Sequence, residues 1–195
     1  MSPRSKGQIE EIREASISKI LDASLELFAT KGYDSTSIAN IAEKAGISKG
    51  LMYNYFSSKD ELLRGLIDLL NKGETDMMEK VIHEDPKKML ENVIRFFFSE
   101  LRENYQQWVF ISKLVLQVDR FDFVKKMATE MYSNYLILFE QLLGGIGMKK
   151  PAEEAKLLGA LFDGIGYQYL IIKEAYPLDE IENYLIQKYC KNEVH

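Results

Sequence analysis

Apolar residues recur along most of the chain at the three- and four-residue spacing of an amphipathic α-helix. The first clear stripe runs from Ile17 to Phe28 and stops before Gly32, a residue type that commonly ends helices. A second, short helix is predicted after Thr36 or Ser37, and a third after Ser48, because serine and threonine are favoured N-caps. No run of alternating Val, Ile or Thr with a tight turn predicts a β-strand. The pattern therefore predicts an all-α fold.

Longer helices are expected in the rest of the chain. Ser57 or Ser58 is predicted to cap a fourth helix, and Pro86 is placed where the first turn of a fifth would lie. The remaining four helical segments are predicted at about 105–117, 122–143, 151–175 and 178–191. The expected fold has about nine helices, with a three-helix domain in residues 1–60 and a second helical domain in residues 61–195.

Composition and charge narrow the functional classes. The hydrophobic content of 46% is enough for a packed core, and 28% charged residues indicate a soluble protein. The net charge of −5 argues weakly against nucleic acid as a partner, but residues 1–60 hold 8 Lys/Arg and 8 Asp/Glu. Any anion-binding surface is therefore expected in this neutral first third. The polar start of the chain, the lack of a long apolar run and the single cysteine lead us to expect a cytoplasmic protein with no membrane contact.

Residues 46–63, GISKGLMYNYFSSKDELL, show an unusual helix face. A helix that starts at Ser48 would place Lys49, Gly50, Tyr53 and Asn54 in one arc, while apolar residues at i and i+4 point back to the core. A glycine near a helix N-terminus lets the backbone approach a phosphate or a base edge. Lysine and tyrosine side chains beside it reach phosphate oxygens. The short helices joined by a turn at Gly46 are therefore typical of a helix-turn-helix that presents its second helix to the major groove.

The geometry alone leaves a plain alternative open. Any short helical hairpin can carry a glycine in its turn, and tyrosine and asparagine are frequent on ordinary protein surfaces. Spacing by itself does not choose between a DNA-binding face and a solvated one.

A resemblance to a known family extends over about residues 13–65. The segment GYDSTSIANIAEKAGISKGLMYNYFSSKDELL resembles the DNA-binding domain of the TetR family of transcriptional regulators (TetR/AcrR type), in unbroken register from Phe28 to Lys59. The resemblance implies a homodimer whose N-terminal helices bind a palindromic operator, and whose C-terminal helical domain binds a small effector that releases the DNA. The partners it implies are double-stranded operator DNA, a second copy of the chain and an unknown small molecule.

Carried over position by position, the resemblance implies a set of DNA-contacting residues, with Lys59 as a second phosphate clamp. The implied set is Thr36, Ser37, Ser48, Lys49, Gly50, Tyr53, Tyr55 and Lys59. Asn54, on the same arc of the predicted helix, is added as a candidate that either contacts a base or faces solvent. Two positions depart from the family pattern: Asn54 stands where an aromatic residue is frequent, and Tyr55 where histidine is frequent. Base preference is therefore left open.

Aromatic residues cluster between positions 96 and 139, and some of them are expected to line an effector pocket for a small apolar or aromatic molecule. The candidates are Phe97, Trp108, Phe110, Tyr132, Tyr135 and Phe139. The last two helices each carry one apolar stripe, and in the resembling family such helices form a four-helix dimer interface. The expected interface residues are Leu158, Leu161, Phe162, Ile165, Tyr169, Ile181, Tyr184 and Leu185. A buried core within one chain would use the same stripes.

The sequence offers no catalytic, metal or cofactor site, and we expect the protein not to be an enzyme. His83 and His195 are far apart, Cys190 has no histidine near it in sequence, and the GGIG segment lacks the Lys-Ser/Thr of a phosphate-binding loop. Two competing functions stay open. One is an enzyme with an unrecognised pocket. The other is a helical adaptor or small-molecule-binding protein without DNA-binding activity.

Overall fold

The computed structural model describes residues 5–191, with all side chains in that range except those of Lys6 and residues 71–77. This part of the chain is all-helical and contains no β-strand, as predicted. Its α-helices are α1 (Lys6–Lys31), α2 (Ile38–Lys44), α3 (Lys49–Met52), α4 (Lys59–Val81), α5 (Pro86–Glu103), α6 (Tyr105–Val115), α7 (Asp122–Gly145), α8 (Pro151–Ile172) and α9 (Leu178–Ile186). Two 3₁₀ turns, Val118–Arg120 and Lys173–Ala175, and a π-helical turn, Gln187–Lys191, complete the described chain.

The chain divides into two compact units, one up to residue 74 and one from residue 75 onward. The first unit extends further than the 1–60 range expected from the sequence, because the first turns of α4 pack on the short helices. A Cβ atom on Gly65 would lie 2.9 Å from the ring of Phe56 and 3.7 Å from the side chain of Leu21. Leu62, Leu63 and Leu66 are fully buried.

The core of the first unit contains side chains from α1, α2 and α3. Ile20 and Phe28 of α1, Ile41 of α2, and Met52 of α3 are each less than 2% exposed. Phe56, just after α3, is 8% exposed. The sequence prediction that Met52 and Phe56 anchor the third helix to the core is confirmed by their burial.

The second unit is a helical bundle in which α7 packs on α8, and α5 packs on both α7 and α9. Its core includes Phe98 and Leu101 of α5, Leu143 of α7, and Leu158 of α8, all fully buried. Among residues 5–191, no helix is long and apolar enough to cross a membrane.

Candidate nucleic-acid interface

Helix α2 begins with a reciprocal capping arrangement. The hydroxyl oxygen of Ser37 accepts from the backbone N–H of Asn40 at 3.1 Å, and the side-chain oxygen of Asn40 accepts from the backbone N–H of Ser37 at 3.1 Å. The serine hydroxyl also donates to that side-chain oxygen, at 2.7 Å. This box fixes the start of α2 at the position expected from the sequence.

The turn between α2 and α3 depends on glycine. Gly46 has φ of +69°, in the left-handed region that favours glycine, and the N–H of Ile47 donates to the carbonyl of Ala42 at 3.0 Å. Ser48 then caps α3, since its hydroxyl accepts from the N–H of Leu51 at 3.1 Å. The residue types that predicted this turn therefore perform the expected roles.

Helix α3 is a single turn, shorter than the sequence predicted. It ends at Met52, whose carbonyl accepts from the N–H groups of both Tyr55 and Phe56 at 3.0 Å. Tyr53 is the C-cap residue and Asn54 follows it in a tight turn, so neither lies inside the helix. The early start of α4 and the burial of Phe56 leave no room for a second helical turn.

The exposed side of α2 and α3 forms a depression of about 380 Å³. Its lining residues are Asp34, Thr36, Ser37, Ile38, Ala39, Lys49, Tyr53 and Lys59. The structure thus brings five of the nine predicted DNA-contacting residues to one concave surface. Ser48 and Asn54 are exposed outside this lining, and Tyr55 is half-buried.

Gly50 occupies a distinct place on this surface. It is exposed, and a Cβ atom built on it would meet no other atom of the chain within 4 Å. It lies in α3, without the positive φ of Gly46. Among the described residues, no contact therefore requires glycine at position 50.

Two predicted contact residues are turned to internal roles. Thr36 is 1% exposed, and its hydroxyl donates to the carbonyls of Gly32 at 2.8 Å and Leu27 at 3.3 Å. Lys59 is half-buried, and its Nζ donates to the carbonyls of Tyr33 at 2.8 Å and Thr36 at 3.0 Å. Both side chains hold the loop before α2, because their polar atoms are used within the chain.

Sequence reasoning missed part of this surface. Ile38 and Ala39 line the depression because they occupy the first turn of α2, directly after the capping serine. Their position directly after a predicted helix cap could have identified both residues as part of this surface. Nothing in the sequence indicated that Asp34 lines the depression or that Tyr33 contacts α4. Both depend on the position of the start of α4 in the folded unit.

The aromatic residues predicted to line an effector pocket separate into two groups. Phe97, Phe110 and Phe139 are buried, and Trp108 packs on the core with its ring edge against Phe97 at 5.5 Å between centroids. Tyr132 and Tyr135, in contrast, are 51% and 39% exposed on α7.

The buried group centres on a ring pair that the sequence did not predict. Phe97 stacks on Phe162 with 4.3 Å between centroids and 14° between planes, and Phe139 meets Phe162 edge-on at 5.3 Å. A surface cavity of about 430 Å³ in the same unit lies elsewhere, around Tyr169, Lys173 and Tyr176. It is lined by none of the six predicted pocket residues.

Half of the predicted dimer residues are core residues of the single chain. Leu158, Phe162, Ile165 and Leu185 are each at most 9% exposed, and Tyr169 and Ile181 are half-buried against the core. Of the predicted set, Leu161 and Tyr184 are exposed, at 41% and 65%.

The exposed apolar face of α8 lies one residue away from the predicted stripe. It carries Leu157, Leu161 and Ile171, which are 59%, 41% and 80% exposed and follow helical spacing. The stripe at 158, 162 and 165 fills the core of the single chain, and the neighbouring stripe faces outward.

No group of three or more potential metal ligands is found within residues 5–191, and His195 lies outside the described range. Cys190 is buried, and burial raises the pKa of its thiol to about 11. At neutral pH this thiol is protonated and a poor nucleophile.

Comparison with known proteins identifies the helices of the first unit. The profile of the family described as "Bacterial regulatory proteins, tetR family" matches residues 20–66, a range that contains α2, α3 and the start of α4. Residues 20–66 are therefore similar in sequence to the DNA-binding segment of this family. The relatives that match this chain carry names such as HTH-type transcriptional regulator and fatty acid metabolism regulator protein.

Sequence similarity to individual relatives covers part of each chain. The uncharacterised HTH-type regulator YvdT of Bacillus subtilis is 39% identical over 67 residues, which are 34% of either chain. The fatty acid metabolism regulator protein of the same organism is 28% identical over 130 residues, or 64% of either chain. The alignments thus span between one third and two thirds of these relatives.

A solved structure shares the fold over most of the chain. The crystal structure of the regulator FadR from Bacillus subtilis, in complex with stearoyl-CoA, superposes with a TM-score of 0.72 and covers 91% of this chain and 99% of that one. At 22% identity this similarity establishes the fold. The shared fold therefore includes the helical bundle of the second unit.

Proposed function

We propose that this chain is a cytoplasmic transcriptional repressor of the TetR family that binds a palindromic operator as a homodimer and is released by a small apolar or aromatic effector. The observation that carries the DNA-binding part is the exposed face of α3. Met52 and Phe56 fix this turn to the core, while Lys49, Gly50 and Tyr53 are exposed. The ammonium of Lys49 and the hydroxyl of Tyr53 are suited to bind DNA phosphates, and the exposed main chain at Gly50 can approach the edge of a groove.

The proposed contact set is narrower than the sequence alone implied. We assign direct DNA contact to Ser37, Ser48, Lys49, Gly50 and Tyr53, with Asn54 and Tyr55 at the margin of the face. Thr36 and Lys59 support the loop instead, because their polar atoms already bond to backbone carbonyls.

Dimerisation is supported by the outward face of α8. Leu157, Leu161 and Ile171 expose apolar side chains in one line, and Tyr184 of α9 is also exposed. A row of exposed leucine and isoleucine is typical of a protein–protein contact. Two copies joined in this way would present two α3 faces to half-sites that lie about 34–36 Å apart along the DNA.

The effector part rests on the aromatic cluster and on one relative. Phe97, Trp108, Phe139 and Phe162 form contiguous ring contacts inside the second unit. FadR binds stearoyl-CoA within the same fold. We propose that the effector enters beside these rings and shifts α4, a helix with residues in both units. Such a shift would change the separation of the two α3 faces and favour the DNA-free state.

Selection of genomic fragments tests the DNA-binding proposal. The purified chain is incubated with sheared genomic DNA, and the retained fragments are sequenced; we expect one enriched palindrome. Lys49→Glu should abolish enrichment, because it reverses the charge of the proposed phosphate contact. Lys125→Glu makes the same change at an exposed position of α7 and should retain enrichment. No enrichment by the unaltered chain would contradict DNA binding, and enrichment of isolated half-sites would contradict the dimer.

Trp108 offers a test of the effector proposal, since it is the single tryptophan of the chain. The protein is titrated with stearoyl-CoA while the tryptophan emission and the fraction of DNA bound are both measured. We expect both quantities to change over the same range of stearoyl-CoA concentration. If DNA is released while the Trp108 emission stays constant, the assigned binding region is wrong.

A further inference from the structure

The first residue of α4 is bonded to the loop that precedes α2. The Nζ of Lys59 donates to the carbonyl of Tyr33 at 2.8 Å and to that of Thr36 at 3.0 Å. The same Nζ lies 4.2 Å from the ring centroid of Tyr33, within the range of a cation–π contact. Two of the three ammonium donors are therefore used inside the chain.

The ring of Tyr33 is itself held on its other sides. Its centroid lies 5.2 Å from that of Phe28, a residue 1% exposed in α1. Its hydroxyl donates to the carboxylate of Asp60, the second residue of α4. Lys59 and Asp60 thus contact one tyrosine from opposite ends, which joins the start of α4 to the α1–α2 loop.

The loop position decides where α2 begins. Thr36, whose carbonyl bonds to Lys59, also donates its N–H to the carbonyl of Tyr33 at 3.3 Å. The next residue is Ser37, the cap of α2 and a lining residue of the depression. Displacement of Lys59 would release both carbonyls and the segment that leads into Ser37, which lines the depression together with Lys49 and Tyr53.

We propose that Lys59 is a positioning residue of the DNA-binding face, and that Lys49 supplies the phosphate-binding charge of that face. The proposal rests on the proposed DNA-binding function. The two lysines line the same depression but have different roles. The proposal also assigns Tyr33 and Asp60 to the same positioning group.

Salt dependence separates the two roles. The affinity for the selected operator is measured over a range of salt concentrations for the unaltered chain, Lys49→Met and Lys59→Met. The slope of log K against log salt is negative, and each lost phosphate contact reduces its magnitude by about 1. We expect this reduction, once per subunit, for Lys49→Met. For Lys59→Met we expect weaker binding by the same factor at every salt concentration, with an unchanged slope.

Amide exchange tests the positioning role without DNA. In Lys59→Met, the N–H groups of Thr36 and Asn40 should exchange faster by about tenfold or more, because the charge-assisted bonds that hold the loop are lost. In Lys49→Met these amides should exchange as in the unaltered chain. If the unaltered chain binds no DNA, the proposed function fails, and this exchange experiment still decides the role of Lys59.

Lys59→Arg provides a variant that keeps the charge. A phosphate contact would tolerate arginine, whereas the planar guanidinium does not reproduce the two carbonyl bonds and the ring contact of the ammonium. We expect faster exchange at Thr36 and weaker binding with an unchanged slope, and this variant replaces Lys59→Met if the latter does not fold. A reduced slope in Lys59→Met, or exchange at Thr36 equal to that of the unaltered chain in both variants, would overturn the proposal.

Discussion

Substitution of Gly50 by alanine should make the protein more stable and a weaker DNA binder. Gly50 lies in α3, and a Cβ atom there would meet nothing within 4 Å. Alanine loses less conformational entropy than glycine in a helix, so we expect the free energy of unfolding to rise by about 0.5–1 kcal/mol. In the part of the chain that the structure describes, no contact would oppose this gain.

The same substitution is expected to lower the affinity for DNA. If the backbone at Gly50 approaches the DNA closely, one added methyl group overpacks that contact. Overpacking costs about 1–3 kcal/mol in a well-packed region, which corresponds to about a five- to 150-fold loss of affinity per half-site. Unfolding by urea measures the first effect, and titration of a labelled operator measures the second.

Gly144→Ala is the matched control. Gly144 is exposed in the last turn of α7, where a Cβ atom would make an ordinary contact with Pro151 at 3.9 Å. This variant should gain stability for the same reason and bind DNA with unchanged affinity. If Gly50→Ala also bound DNA with unchanged affinity, the close approach of DNA at Gly50 would be refuted.

Four further substitutions or treatments have defined outcomes. Tyr53→Phe should weaken operator binding, because it removes the exposed hydroxyl assigned to a phosphate; equal affinity would exclude that role. Leu161→Glu should shift the chain from dimer to monomer in sedimentation, while Leu116→Glu, at a residue 74% exposed after α6, should not. Gly65→Ala should lower the free energy of unfolding by about 1–3 kcal/mol, since its Cβ would lie 2.9 Å from Phe56; urea unfolding measures this. Cys190 should react slowly with a disulfide reagent near neutral pH, because burial raises the pKa of the thiol to about 11; fast labelling of the folded chain would contradict its burial.

The starts of α2 and α3 and the ends of α1 and α2 were predictable because local residues encode them, whereas the early end of α3 was not. Ser37 and Ser48 cap helices through bonds to residues three positions later. Gly32 and Gly46 adopt positive φ at the two helix ends where glycine was expected. These interactions involve neighbours in sequence, so the pattern of residue types was sufficient.

The roles of Thr36 and Lys59 were not predictable, because they depend on the tertiary arrangement. The carbonyls that Lys59 contacts lie 26 and 23 residues earlier in the chain. A lysine at the start of a helix gives no sign of such partners. The family resemblance implied a phosphate contact, and only the folded geometry shows that the ammonium is already bonded.

The register of α8 shows a different limit. Leu157, Leu158, Leu161 and Phe162 are all apolar, so two neighbouring stripes of this helix have the same hydrophobic spacing. Periodicity identifies such a helix but does not decide which stripe faces the core. The packing of Phe162 on Phe97 decides it, and this contact joins residues 65 positions apart.

Footprinting of the intergenic DNA beside the chain's own gene, at two salt concentrations, tests the central claim most directly. The account predicts a protected palindrome with half-sites about one helical turn apart, and protection that falls steeply as salt rises. Binding that protects no palindrome there or in the fragments selected from the whole genome, or that is insensitive to salt, would contradict a dimeric operator-binding function.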